Sequence, residues 1–240
     1  MFLRRYLKRF SQEIGRRKAA KLDTVFAPLD HKAVFDKIYR RGIWGKKLGA
    51  RFYSGPGSHD PQLVNPYVES VKEFLVHLGD KPSVVDLGCG DFNVGQQLRP
   101  FCGEYIACDV VPELVAHNAQ KFRFLSVDFR CVDMIEDALP RADVIFIREV
   151  LQHLSNDAIA KILAKLPESC KYLILTEDIP PQDGFAPNLD KPIGPSTRSQ
   201  FNSGVVIDAS PFDFKCLNKS VICELLRENS RIRTMAYQLS

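Results

Sequence analysis

Nowhere in this 240-residue chain do roughly 18 apolar residues run together, the length a helix needs to cross a bilayer. The sequence therefore predicts no transmembrane span. Its seven cysteines (89, 102, 108, 131, 170, 216 and 223) contain no C-x-x-C pair, and their number is odd. That argues against a disulfide framework and for free, mostly buried thiols in a reducing, cytoplasmic setting. The five histidines, at 31, 59, 77, 117 and 153, include no short ligand pair, so no metal site is expected. A G-x-G-x-x-G dinucleotide fingerprint is missing as well. The one candidate turn, from Gly88, has Asn93 where the third glycine belongs.

Acidic residues are nearly absent from the first 21 positions. Arg4, Arg5, Lys8, Arg9, Arg16, Arg17, Lys18 and Lys21 face only Glu13, a net charge of +7 that leaves about −3 for the rest of a chain whose total is +4. Phe2, Leu3, Tyr6, Leu7, Phe10 and Ile14 recur at helical spacing within this block. A basic amphipathic helix over 1–24 follows, followed by a single domain over 25–240. Such a helix suits peripheral contact with an anionic membrane through residues 1–21, binding of nucleic acid, a transit peptide, or a cap on the protein body. Interrupting arginines and lysines exclude a secretory signal. No strong nucleic-acid signal is present elsewhere. At 45% hydrophobic and 26% charged residues, the remainder can bury a substantial core.

The centre of the chain is Val84-Val85-Asp86-Leu87-Gly88-Cys89-Gly90-Asp91. A short Val-rich run reads as a buried parallel strand. Gly88 and Gly90 then allow a sharp turn and close approach of a ligand. Strand, glycine turn, helix is where an open α/β sheet binds its ligand. Asp86 and Asp91 bracket the turn, and two carboxylates there repel phosphates and favour a cation or an array of donors. Tyr105 to Cys108 makes a second strand ending at Asp109, 19 residues after Gly90. An acid in that place suits ribose hydroxyls of nicotinamide and S-adenosyl cofactors alike.

Asp86-Leu87-Gly88-Cys89-Gly90 resembles the first motif of class I S-adenosylmethionine-dependent methyltransferases. The resemblance spans about residues 30 to 240, through an ordered set of strand-end signals: Gly88-Cys89-Gly90, Asp109, Asp133 and Arg148–Leu154. It implies a Rossmann-like, doubly wound, seven-stranded and mostly parallel sheet with a C-terminal antiparallel hairpin and N-terminal helices. It also implies S-adenosyl-L-methionine as cofactor, with Asp86, Gly88, Cys89, Gly90, Asp91, Asp109, Val110, Asp133, Met134 and Arg148 around it. Asp133 inherits the adenine-amino contact and Met134 the packing on the ring, after a third strand Phe129–Val132. Asp128 competes for that role if the strand is instead Phe122–Val127.

The segment before the first motif (25–80) holds a helix ending at Gly42, a turn-rich connector, and a helix opened by Asp60-Pro61. By resemblance Trp44, Arg51 and the Ser54–Ser58 turn are lid candidates, with plain core as the competing reading of the aromatics. After the glycine turn, Val144–Ile147 is the fourth strand, Ser155 caps the next helix, and Tyr172–Thr176 is the fifth strand. Residues 179–210 are rich in Pro, Gly, Asn and Ser, a functional or disordered loop offering Arg198, Asn202 and Asp208 to a substrate. Val221–Leu226 and Thr234–Leu239 read as the hairpin.

Arg148-Glu149-Val150-Leu151-Gln152-His153-Leu154 resembles the family's fourth motif, with Glu149 in place of Asp. His153 is the candidate general base, having an ordinary pKa near ~6.5, and Glu149 is the second choice. Absence of Asp-Pro-Pro-Tyr or Asn-Pro-Pro-Tyr argues against amino-methylation of adenine or glutamine. The expected function is O-methylation of a small molecule or glycan. A non-catalytic cofactor-binding protein and, less favoured, a nicotinamide oxidoreductase are the alternatives.

Overall fold

The computed structural model describes residues 2–240, with side chains described from residue 13 onward. Seven strands, β1 (Val84–Leu87), β2 (Tyr105–Asp109), β3 (Asp128–Cys131), β4 (Ala142–Arg148), β5 (Cys170–Ile179), β6 (Asn218–Leu226) and β7 (Arg231–Gln238), form one sheet in the order 3-2-1-4-5-7-6. The first five run parallel, and β7 lies antiparallel between β5 and β6. This is the doubly wound sheet with a terminal hairpin that the sequence predicts.

The alternation of strand side chains builds both faces at once. Val84, Val144, Phe146 and Ile174 point to the layer of α3 (Pro61–His77), against Val64, Tyr67, Val71 and Leu75. Their neighbours Val85, Leu87, Ile145, Ile147, Leu173 and Leu175 point the other way, against Ile159, Ile162 and Leu166 of α6 (Asn156–Ser169). Local signals set the helix ends. Asp60 accepts from Gln62 N at the start of α3, and Ser155 from Ala158 N at the start of α6. Gly42, left-handed at φ 61°, ends α2 (His31–Arg41).

The helix after the glycine turn is short. Gly95–Leu98 is one turn, continued only as a 3-10 turn through Phe101, as Pro100 cannot supply a backbone donor. The third strand begins at Asp128, and the helix Pro112–Lys121 with Phe122 at its cap leaves no strand over 122–127. β5 runs on through Glu177 and Asp178 because β7 pairs with it as far as Ile179. For the same reason β6 and β7 each start three residues before the expected positions.

α1 (Phe2–Phe26) is a single helix that continues past residue 24. Its last turns are docked: Ala19, Asp23 and Phe26 are buried. Asp23 accepts from the Ser196 amide and hydroxyl at 3.2 and 2.7 Å, and Lys191 Nζ lies 3.4 Å away. The side chains of the expected apolar stripe at Phe2, Leu3, Tyr6, Leu7 and Phe10, and those of Arg4, Arg5, Lys8 and Arg9, lie outside the described residues. Among the described residues no helix is long and apolar enough to cross a membrane.

Candidate active site at the strand tips

A cavity of about 360 Å³ lies at the carboxyl ends of the parallel strands. Its floor is the turn after β1. Gly88 and Gly90 have φ of 76° and 56°, and a Cβ at either would stand 2.6 Å from Val150 Cγ2 or 2.4 Å from Ser54 Oγ. Only glycine meets both demands. The Gly90 amide donates to Asp109 Oδ2 at 3.1 Å, while Asn118 Nδ2 donates to the Gly90 carbonyl at 2.7 Å. Neighbouring strand tips thus fix the turn.

Asp86, Gly88, Cys89, Gly90, Asp109, Val110, Asp133, Met134, Arg148, Glu149 and His153 all line this cavity. Asp109 is buried, which raises its carboxyl to about 6 against the pull of the Val111 and Gly90 amides. Asp86, held by the Tyr105 hydroxyl at 3.0 Å, is raised by burial to about 7. Burial likewise pushes the Cys89 thiol well above its usual range. Burial in a low-dielectric pocket therefore disfavours these anions, and ligand hydroxyls or a cation would favour them.

Asp91 departs from expectation. It does not line the cavity; its Oδ2 accepts from the Ser54 amide at 3.0 Å and from His59 Nε2 at 2.6 Å. The Asp91 amide in turn donates to Ser54 Oγ at 2.8 Å. This carboxylate is spent on anchoring the Ser54–Ser58 segment over the turn, which explains an acid beside the glycines without a ligand contact.

At the other end of the cavity Asp133 is already saturated. Oδ1 accepts from the Ile135 and Glu136 amides, and Oδ2 from His31 Nε2 at 2.6 Å with Lys32 Nζ at 3.3 Å. Burial opposes ionisation here, but these donors outweigh it and hold the carboxyl below its usual value. The acceptor that the resemblance assigns to an adenine amino group is thus already engaged by donors of the chain itself. Met134, Val132 and Val110 supply an apolar wall beside it. Trp44 and Ser54–Ser58 line the cavity, as expected of a lid, whereas Arg51 is exposed and pairs with Glu113.

The tips of β4 and β5 form the remaining wall. Arg148 stacks its guanidinium over Tyr67 at 4.8 Å and donates to Gly57 O and Glu149 Oε2. Glu149 sits left-handed at φ 56°, its amide held by Thr176 O at 2.7 Å. Beneath it Glu177, buried, accepts from the Leu151 and Gln152 amides at 3.0 and 2.9 Å and fixes the one-turn 3-10 helix Leu151–His153.

His153 lies on that turn and needs a corrected role. Burial, reinforced by the charge of Lys191, lowers its pKa to about 3, so the ring is neutral and a feeble base. It packs 4.9 Å from the ring of Trp44. The candidate loop residues are corrected too. Arg198 is fully buried and donates to Leu189 O and Leu154 O. Asn202 caps a 3-10 turn and bonds Gln182, and Asp208 pairs with Lys219. None of the three lines the cavity; Pro195, Thr197 and Gln200 of the same loop do.

Sequence reasoning missed His31 and Asp178 on the wall, and gave Gln152 only as part of the Arg148–Leu154 stretch. For Asp178 a signal existed, since an acid ending a parallel strand is the pattern that singled out Asp109. Unpartnered buried atoms on the wall, Arg148 Nε, Gln152 Oε1, His153 Nδ1 and Asp178 Oδ1, fit a polar guest. Among the described residues no group of three or more His, Cys, Asp or Glu side chains is arranged for a metal ion.

Residues 85–171 match a family model described as a methyltransferase domain. An uncharacterized RNA methyltransferase from Chlamydia trachomatis is 27% identical over 115 residues, which is 44% of this chain but only 28% of that protein. Among solved structures, the N-methyltransferase NodS from Bradyrhizobium japonicum with S-adenosyl-L-homocysteine superposes with a TM-score of 0.60 at 12% identity, over 88% of this chain and 100% of that one. Human N-acetylserotonin methyltransferase with S-adenosylmethionine gives 0.60 at 17% identity, over 95% and 66%. Magnesium protoporphyrin IX methyltransferase from Synechocystis gives 0.55 at 17%, over 88% and 98%.

Proposed function

We propose that this chain, whose residues 85–171 match a methyltransferase domain, is a class I S-adenosylmethionine-dependent methyltransferase that methylates a hydroxyl oxygen of a small molecule or glycan. The cofactor, when bound, supplies a methyl group activated on a sulfonium. Asp109 would accept from its ribose hydroxyls, Met134, Val132 and Val110 would flank its base, and Arg148 Nε would meet its carboxylate. An adenine amino group would share or displace the His31 contact with Asp133.

The observation that carries O-methylation is Glu149. Its carboxylate projects from the tip of β4 towards Gly57, where an added Cβ would lie 2.4 Å from Oε2, and it lines the cavity beside the glycine turn. A hydroxyl is a poor nucleophile until a positioned base takes its proton. With His153 neutral and weakly basic, that work falls to Glu149. Trp44, Tyr39 and Phe35 line the cavity and would keep water from the reacting groups, which favours transfer between groups held in register.

Thermal stabilisation by S-adenosylhomocysteine, followed by transfer of a tritiated methyl group into small-molecule and glycan fractions, tests the reading. Label appearing as a methyl ether supports it; label on nitrogen overturns the O-methyl assignment. Stabilisation without transfer to any fraction returns the non-catalytic alternative.

We also infer peripheral contact with anionic membrane through the N-terminal segment. Arg16, Arg17, Lys18 and Lys21 are exposed on α1, the last three turned away from its docked Ala19 and Asp23. Co-sedimentation with phosphatidylserine vesicles is expected to fall severalfold when these four become Gln. Equal pelleting removes the inference.

A further inference from the structure

Three polar atoms buried at one end of the cavity have no partner: Asp178 Oδ1, Gln152 Oε1 and His153 Nδ1. All belong to residues on its wall. Asp178 is 5% exposed and Gln152 2%. Their other polar atoms are engaged, Asp178 Oδ2 by the Ser199 hydroxyl at 2.5 Å and Gln152 Nε2 by Glu149 O at 3.3 Å. The Ser230 hydroxyl also reaches the Asp178 carboxyl, so both side chains are held in place, and Asp178 Oδ1 and Gln152 Oε1 are the atoms without a well-formed hydrogen bond. A buried acceptor without a donor is costly, and native structures keep few of them.

Their place in the sheet separates them from the nucleoside end. Asp109 ends β2 and Asp178 stands at the end of β5, with β1 and β4 between. Three strand spacings put them about 14 Å apart. Asp178 is one strand beyond Glu149, on the side away from Asp109. This wall also carries Trp44, half-buried, whose indole N–H donates to Pro195 O, and Thr197 of the loop that Asp23 ties down.

We propose that Asp178 and Gln152, with Trp44 as the apolar side, form the acceptor subsite and bind the hydroxyls of a sugar ring. This deepens, and rests on, the methyltransferase reading. Two oxygens that only accept require a guest that donates, and neutral hydroxyls supply donors without a second charge. Arg227 and Arg148 face the same space and offset the Asp178 and Glu149 carboxylates, so a neutral guest needs no further counter-charge. A ring with hydroxyls on its rim and C–H groups on its face matches acceptor oxygens beside an indole. Asp178 is a recognition group here, distinct from the base Glu149.

The test uses the full chain, alone and saturated with S-adenosylhomocysteine. Methyl glycosides of common hexoses and 6-deoxyhexoses are titrated by saturation-transfer NMR, beside benzylamine and phenol as other acceptor classes. At least one glycoside is expected to bind, with affinity falling tenfold or more in Asp178→Ala and in Trp44→Ala, and severalfold in Gln152→Ala. S-adenosylhomocysteine affinity should stay within twofold in the Asp178 and Gln152 variants, which also reports that they fold; the folding of Trp44→Ala, a lid variant, is checked by its melting temperature. Asp178→Asn, which keeps an acceptor for Ser199, serves if the alanine variant fails to fold. No glycoside bound, equal binding by wild type and variants, or binding of benzylamine alone overturns the proposal. So does loss of S-adenosylhomocysteine affinity in both Asp178 variants, because the residue would then be structural. Failure of wild type to bind S-adenosylhomocysteine would instead refute the methyltransferase reading, and the titrations on the chain alone would still judge the sugar site.

Discussion

His31 donates from Nε2 to Asp133 Oδ2 at 2.6 Å, tying the first turn of α2 to the residue just past β3 across 102 positions of sequence. The contact closes one end of the cavity, and α2 supplies Phe35 and Tyr39 to the same wall. The other ties of α2, Lys32 to Asp133 at 3.3 Å and Arg40 to Glu113 at 2.9 Å, come from exposed side chains and hold little, so cutting the less exposed His31 contact lets the helix swing. His31→Ala is therefore expected to raise both association and dissociation rates of S-adenosylhomocysteine severalfold in stopped-flow fluorescence of Trp44. Unchanged rates would show that α2 does not gate the cavity.

Asp109 gives a pH dependence whose sign follows from its environment. Burial raises its carboxyl to about 6 in the free protein. Ribose hydroxyls donate only usefully to the carboxylate, so ligand binding favours the charged form and lowers that pKa. Affinity for S-adenosylhomocysteine should then weaken as pH falls below about 6 and level off above 7. Calorimetry at steps from pH 5 to 8 measures it. Asp109→Ala should weaken binding at least tenfold and flatten the profile.

Asp86 acts on stability. Its folded value of about 7 lies above the ordinary 3.8, so the folded protein holds a proton that the unfolded chain has released. Its contribution is fully present below about pH 4 and is lost as pH rises to 7, at about 1.4 kcal/mol per unit before any relaxation of the site. Asp86→Asn keeps an acceptor for the Tyr105 hydroxyl and removes the charge. The variant's melting temperature should match wild type near pH 4 and exceed it increasingly up to pH 7, with a constant gap above. A gap that does not change with pH would contradict the burial argument.

Glu149 combines strain with chemistry. A side chain in the left-handed region costs about 1–2 kcal/mol, but Glu149 also pairs with the largely buried Arg148 at 3.0 Å, so Glu149→Gly should abolish methyl transfer with no gain in melting temperature. Glu149→Gln should keep the backbone and lower turnover by roughly a hundredfold, the scale of losing a general base. Turnover equal to wild type in the Gln variant would remove Glu149 from the proton step.

Much of this was readable in order along the chain. Val84–Leu87 is short and branched enough to be a buried strand, and Gly88, Gly90 and Asp109 carry their requirements in their own chemistry. What escaped reading depends on contacts distant in sequence. Nothing near His31 reveals that its partner is Asp133, and nothing near Arg198 reveals that it is fully buried holding Leu154 O and Leu189 O. His153 looked basic because its ordinary pKa was the only one available; its burial is a tertiary fact. Asp91 was misplaced for a related reason, since the lid turn that takes up its carboxylate lies 37 residues earlier.

The docked end of α1 has a bearing on how this polypeptide can be trimmed. Asp23 is the counter-charge of Lys191, which is itself buried, and its carboxylate packs 2.5 Å from where a side chain on Gly194 would begin. Cutting the chain after residue 24 would strand an ammonium in the interior and unfasten the stretch that carries Pro195 and Thr197 to the wall. The leading helix is thus a keystone for distant residues, and grafting it onto another protein, or discarding it, would disturb both parts.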